Sequence, residues 1–184
     1  MPIPSRTARM LGAIVIAGSL LLSGCSFSFG SESPAEAAEG LIEGEWADQF
    51  GLDLTDASCS DPANEDPGTR FPCQATLDGA AFVEFDVLIE SEDRIVAQST
   101  NVIFSEQFPA IADAIAGSFA DQGIEGLTTE SLDCGANIIV LGSERTIVCG
   151  LTEPETGEVY DTIIRFTDVV SLTFDFEVAE EPRS

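Results

Sequence analysis

The sequence predicts an α+β fold made of two tandem repeats, each one α-helix packed on a small antiparallel β-sheet with one local disulfide. Three observations predict it. Apolar residues recur at helical spacing twice, first at Ala38, Ile42, Trp46 and Phe50 and again at Phe108, Ile111, Ala112, Ile115 and Phe119. Each helical stretch is followed by runs in which apolar and polar residues alternate, the period of a half-buried strand. Two cysteine pairs, Cys59 with Cys73 and Cys134 with Cys149, follow the two helices at separations of 14 and 15 residues. With 184 residues and 44% hydrophobic content, the chain can bury one sizeable core or two small ones.

The order of elements begins with a processing segment. Arg6 and Arg9 make the first residues positive, and Leu11 to Leu22 form an apolar run, which together read as a secretory signal. The run is too short to cross a bilayer, which takes roughly 20 apolar residues. It ends in Leu22-Ser23-Gly24-Cys25, which resembles the lipobox of bacterial lipoproteins. In that family the cysteine receives diacylglycerol and the signal peptide is cut just before it. The resemblance implies that residues 1–24 are a lipoprotein signal peptide and that Cys25 carries the lipid, with palmitate among its acyl chains. The mature chain is then anchored on the extracytoplasmic face of the cell membrane. An ordinary signal peptide with a chance cysteine at its end is the alternative. Residues 25–33 follow as the lipidated cysteine and a Ser/Gly-rich stretch expected to be a flexible tether.

The first repeat is expected over residues 34–104. Ser33-Pro34-Ala35-Glu36 carries an N-cap serine, a proline at the first helical position and a capping-box glutamate, and Gly51 is placed to stop the helix, so residues 34–50 are predicted helical. Cys59 to Cys73 is rich in Asp, Pro, Asn and Gly and reads as loop. Arg70 to Leu77 and Ala80 to Glu90 are strands joined through Asp78-Gly79, a strong hairpin signal, and Arg94 to Phe104 is a third strand. The second repeat, residues 105–184 with a short acidic tail, starts with a helix from about Glu106 to Gln122, with Ser105 as its N-cap. Trp46-Ala47-Asp48-Gln49 at the end of the first helix matches Phe119-Ala120-Asp121-Gln122 at the end of the second. A hairpin of Asn137–Leu141 with Arg145–Leu151 is predicted next, its base clasped by the second cysteine pair. Strands from Val159 to Thr167 and through Val170, Leu172, Phe174, Phe176 and Val178 complete the unit.

Apart from Cys25, the four cysteines form an even set in an exported chain and read as a disulfide framework. Four cysteines allow three connectivities. The internal repeat selects Cys59–Cys73 and Cys134–Cys149, the same link in each copy. A redox pair normally has Cys-x-x-Cys spacing in cationic surroundings, and here the spacing is long and the surroundings acidic.

Composition also narrows the chemistry. The chain has 33 Asp and Glu against 7 Arg, with no lysine and no histidine, for a formal net charge of −26. Loss of residues 1–24 removes Arg6 and Arg9 and no acid, so the mature chain is more negative still. This charge disfavours nucleic acid and anionic lipid headgroups as partners. Without histidine there is no Ser-His-Asp or Cys-His nucleophile and no histidine-ligated metal, and without lysine there is no Schiff base or P-loop. Asp61, Glu65 and Asp66 share a loop and offer hard oxygen ligands, but they lack the EF-hand register. No catalytic residue, metal ligand or cofactor site is assigned.

Phe71-Pro72-Cys73 and Ile147-Val148-Cys149, each following a helix and an earlier cysteine, resemble the small lipoprotein and secreted domains of actinobacteria that carry a Cys-Pro…Phe-x-Cys signature. Ser60 and Gly135 stand where that signature has proline. The family's function is unknown, so the resemblance implies a fold and no activity. The sequence therefore points to a non-enzymatic, lipid-anchored envelope protein. Its partner beyond the membrane is expected to be another exported protein or a cell-wall component, with extracellular cation or small-ligand binding as the alternative.

Overall fold

Ser33, Pro34 and Glu36 begin the first helix as their order predicts: the Glu36 amide donates to Ser33 Oγ at 3.3 Å and the Ser33 amide donates back to Glu36 Oε2 at 3.2 Å. In the computed structural model, which describes residues 25–28, 32–135 and 137–183, α1 (Pro34–Leu41) runs on through a π-helical turn (Ile42–Trp46) into α2 (Ala47–Phe50). Gly51 ends the run at φ 64°, a left-handed conformation that glycine adopts without a Cβ clash. Residues 1–24, expected to be a signal peptide, and residues 29–31 lie outside the described residues. No helix among the described residues is long and apolar enough to cross a membrane.

The described chain divides into two compact units between Val102 and Ile103. In the first, β1 (Cys25–Ser28), β2 (Leu54–Cys59), β3 (Arg70–Leu77), β4 (Ala81–Ser91) and β5 (Arg94–Ser99) form an antiparallel sheet in the order β1-β5-β4-β3-β2. Alternation along the strands turns Phe71 and Ala75 of β3, Val83, Phe85, Val87 and Ile89 of β4, and Ile95 and Ala97 of β5 into the core. The helix supplies Ala38, Leu41, Ile42 and Trp46, all at most 1% exposed. Trp46 meets the edge of Phe85 at 4.8 Å and 86°.

The second unit contains all but the first residue of β6 (Val102–Phe104), then α3 (Phe108–Ala120), β7 (Leu132–Asp133), β8 (Ile138–Val140), β9 (Thr146–Thr152), β10 (Val159–Asp168) and β11 (Thr173–Pro182). Its main sheet has the order β11-β10-β9-β7, and β6 with β8 makes a separate two-stranded ribbon. Ile111, Ile115 and Phe119 of α3 pack with Ile147, Leu151, Ile164, Phe166, Phe174 and Phe176. The fold is therefore α+β, two helices on antiparallel sheets with two disulfides. Counted from the disulfide edge, β2-β3-β4-β5 in one sheet runs parallel in order to β7-β9-β10-β11 in the other.

Several expected elements differ. Residues 25–28, read as part of a flexible tether, form β1, with Cys25 opposite Ala97 and Ser28 opposite Arg94. The Ser-Phe-Ser alternation that looked like linker composition also has the two-residue period of a strand, and β5 offers it a backbone edge. β2 was not anticipated, because Thr55-Asp56-Ala57-Ser58 carries little strand propensity and Asp56 sits at φ 53° within a register shift. The long strand expected over Arg94–Phe104 breaks at Thr100 and Asn101. There the buried Asn101 side chain stands in for strand backbone, donating to the Phe82 carbonyl at 2.9 Å and accepting from the Glu84 amide at 2.8 Å. Ser105 does not cap α3; the Gln107 side chain reaches back to accept from the Phe104 amide at 2.8 Å, and a 3-10 turn over Ser105–Gln107 leads into the helix. The hairpin expected between Asn137–Leu141 and Arg145–Leu151 does not form. β8 pairs with β6, and the edge of β9 is taken by β7, with Leu132 opposite Leu151. Val170 and Leu172, read as strand, lie in the turn before β11, where Leu172 is 1% exposed at φ 50°.

Candidate functional site

Both cysteine pairs are closed as the repeat predicts: Cys59–Cys73 with Cα atoms 4.1 Å apart and Cys134–Cys149 with Cα atoms 4.2 Å apart. Cys59 lies directly opposite Cys73 in the β2–β3 ladder, and the next pair toward the connecting loop is bonded from the Ser60 amide to the Pro72 carbonyl at 3.0 Å. Short Cα separations belong to the non-hydrogen-bonded positions of an antiparallel pair, so the Cys59 amide points away from β3. Cys134 stands one step beyond Asp133, which faces Gly150, so the second bridge crosses from the end of β7 to β9. Each bridge therefore fastens an edge strand to its neighbour. The second does not clasp a hairpin.

The outward amides of β2 are occupied by the helix. Glu39 Oε1 accepts from the Cys59 amide at 2.9 Å, and Glu43 Oε1 accepts from the Ala57 amide at 2.7 Å. The two glutamates are four residues apart and therefore share a helix face. They turn what would be an open strand edge into a satisfied one. Nothing in their local sequence marks this role, because the amides that donate to them lie 14 and 20 residues along the chain.

The loop with Asp61, Glu65 and Asp66 does not gather those carboxylates: all three are exposed, and Asn64 organises the turn by accepting from the Asp66 amide at 3.0 Å and from Thr69 Oγ1 at 2.6 Å. Among the described residues no three of His, Cys, Asp and Glu come together in a set that could hold a metal ion. Asp48 and Asp121, repeated at the helix ends, are both exposed. Gln122, in the turn after α3, donates from its side chain to the Ser118 carbonyl in the last turn of the helix at 2.7 Å.

The outer face of the second sheet carries an open cleft of about 530 Å³ lined by Asp133, Gly150, Thr152, Glu158, Val159 and Arg183, among others. Arg183 crosses Gly150, and its Nε donates to Asp161. A Cβ on Gly150 would stand 2.9 Å from Arg183 Nη1 and 3.0 Å from Val159 Cγ1, so glycine is what lets the arginine lie flat there. The acids around the cleft are engaged: Asp133 accepts from the Gly135 amide at 2.8 Å, and Glu158 accepts from the Tyr160 hydroxyl at 3.0 Å. The Glu158 carboxylate and burial hold the Tyr160 phenol above its ordinary value. At the β10–β11 turn, burial raises the Asp168 carboxyl, but hydrogen bonds from Ser171 and Val170 and the charge of Arg145 outweigh it and leave Asp168 below its ordinary value. These groups organise turns and the surface around the cleft. Sequence reasoning missed Gly150 and Arg183 because each acquires its partner across strands, and missed Tyr160 because an acid two residues from a tyrosine carries no signal in an acidic chain.

Compared with known proteins, the chain matches no family model, no curated protein and no solved structure.

Proposed function

We infer that the chain is a non-enzymatic, lipid-anchored envelope protein, acylated at Cys25, that acts on the extracytoplasmic face of the membrane as an interaction module for another exported protein or a cell-wall component. The observation that carries this reading is the Leu22-Ser23-Gly24-Cys25 motif at the end of a positive, then apolar, leader. The two closed disulfides support it, since such bonds persist in oxidising, exported compartments. Intact mass of the protein purified from membranes is the test. A chain starting at Cys25 and heavier by a diacylglycerol and an acyl group is expected, and a Cys25→Ser variant should remain unprocessed. A lipid-free mature chain in the medium would overturn the anchor. Crosslinking on intact cells then tests the module reading, which fails if no envelope component is captured.

A second reading, extracellular binding of a cation or small ligand, is favoured by the acidic rim of the cleft over Gly150. Thermal unfolding with and without millimolar calcium separates the two. An unchanged midpoint would remove the cation form of this reading.

A further inference from the structure

We propose that the outer edge of β11 is the docking site for an extended segment of a protein partner, one that alternates apolar and basic residues and adds to the second sheet as a further strand. This rests on the interaction-module reading and specifies where that interaction occurs.

The two main sheets have four outer strands, and three are short or closed. β1 has four residues and β7 two, with the Cys134 bridge following immediately. β2 has six, but it is bulged at Asp56, and its outward amides at Ala57 and Cys59 are held by Glu43 and Glu39. β11 is ten residues long, and among the described residues no strand pairs with its outer side. Its stretch from Phe174 to Val178 pairs in regular register with Phe166 to Thr162 of β10, so its free edge is straight enough to template another strand. Among the described residues, two dedicated hydrogen bonds shut the β2 edge and none does so for β11.

Side-chain alternation defines the occupant. Phe174 and Phe176 point into the core with Val178 partly covered beside them, whereas Asp175 and Glu177 stand on the outer face. Arg165 lies between the two acids at 3.7 and 3.5 Å, with both carboxylates still 40% or more exposed. A strand laid against β11 places its own alternate residues next to the same two rows. Apolar residues then extend the core row and basic residues the acidic one. Glu180 and Glu181 continue the negative charge toward the strand end. A second copy of this chain does not fit, because two β11 strands would set acid beside acid in a chain of net charge −26.

The test is hydrogen–deuterium exchange on the full chain purified from membranes in detergent, titrated with a synthetic peptide alternating valine and lysine. Slowed exchange confined to peptides covering residues 173–178 is expected. A matched peptide alternating valine and norleucine should bind at least about fivefold more weakly, the scale of losing two exposed ion pairs. Asp175→Asn with Glu177→Gln should give a similar loss on the protein side, and the peptide comparison keeps the test valid if that variant is unstable. Protection elsewhere, equal binding of the two peptides, or no protection at millimolar peptide would overturn the assignment to β11. If cell-surface crosslinking nevertheless captures a partner through other residues, the module reading stands and only the edge assignment falls.

Discussion

Gly150 shows how a single residue type can be set by a partner remote in sequence. In Gly150→Ala the new methyl meets Val159 Cγ1 at 3.0 Å and the tip of Arg183 at 2.9 Å. The guanidinium is the flexible end of a half-exposed side chain and can move aside, so the valine contact decides the outcome. A destabilisation of about 1 kcal/mol is expected in urea unfolding. The double variant with Arg183→Ala should recover only part of that loss, and full recovery would place the whole cost on the arginine. Tyr160 gives a second prediction. Its raised pKa favours the neutral phenol in the folded chain, so this stabilisation is complete below pH 10 and is lost as the pH climbs through the folded value. Ultraviolet titration should find Tyr160 ionising above the ordinary value of 10, and Glu158→Gln should bring it down toward that value. A titration curve unmoved by the substitution would show that the 3.0 Å hydrogen bond is not the cause.

At the level of elements, legibility followed the range of the interactions. The first helix was readable from Ser33, Pro34, Glu36 and Gly51 because caps act within a turn. β3 and β4 were readable from alternation and from Asp78-Gly79, whose φ values of 50° and 69° are those the tight turn needs. β2 was not readable, since its backbone is held from outside, by β3, by the Cys59 bridge and by the two helix glutamates. Glu39→Ala therefore leaves the Cys59 amide without its acceptor. A loss of about 1 kcal/mol is expected, together with faster amide exchange at Cys59, and unchanged exchange there would show that water replaces the carboxylate at no cost. The Asn137–Leu141 segment was misassigned for a related reason. Two short apolar runs beside a Gly-Ser-Glu turn look like a hairpin, yet β9 can accept only one neighbour on that side, and Leu132 and Cys134 take the place.

Across the whole molecule, each unit carries one disulfide and one distinctive chromophore. The single tryptophan, Trp46, lies in the first unit and the single tyrosine, Tyr160, in the second. Replacing Cys59 and Cys73 by alanine should cost about 3 kcal/mol on the chain-entropy model. The tryptophan fluorescence midpoint should fall more than the tyrosine one. The Cys134 and Cys149 double replacement should reverse that order. Equal shifts of both reporters would show that unfolding is not resolved unit by unit. Units of this size have small cores, so a covalent link to an edge strand is a large share of what keeps each sheet together.

The sequence by itself determined the α+β class, both helices, the central strands and the pairing of Cys59 with Cys73 and of Cys134 with Cys149. Helical spacing, two-residue alternation, caps and an internal repeat are all written in neighbouring residues or in matching positions. Only the tertiary structure decided which strands became edges, that residues 25–28 join the first sheet rather than hang free, and that one edge is closed by Glu39 and Glu43 while, among the described residues, no strand pairs with the outer side of β11. Those outcomes depend on which backbone amides still lack acceptors once the sheets have assembled. That is a property of contacts between distant segments, and no local pattern encodes it.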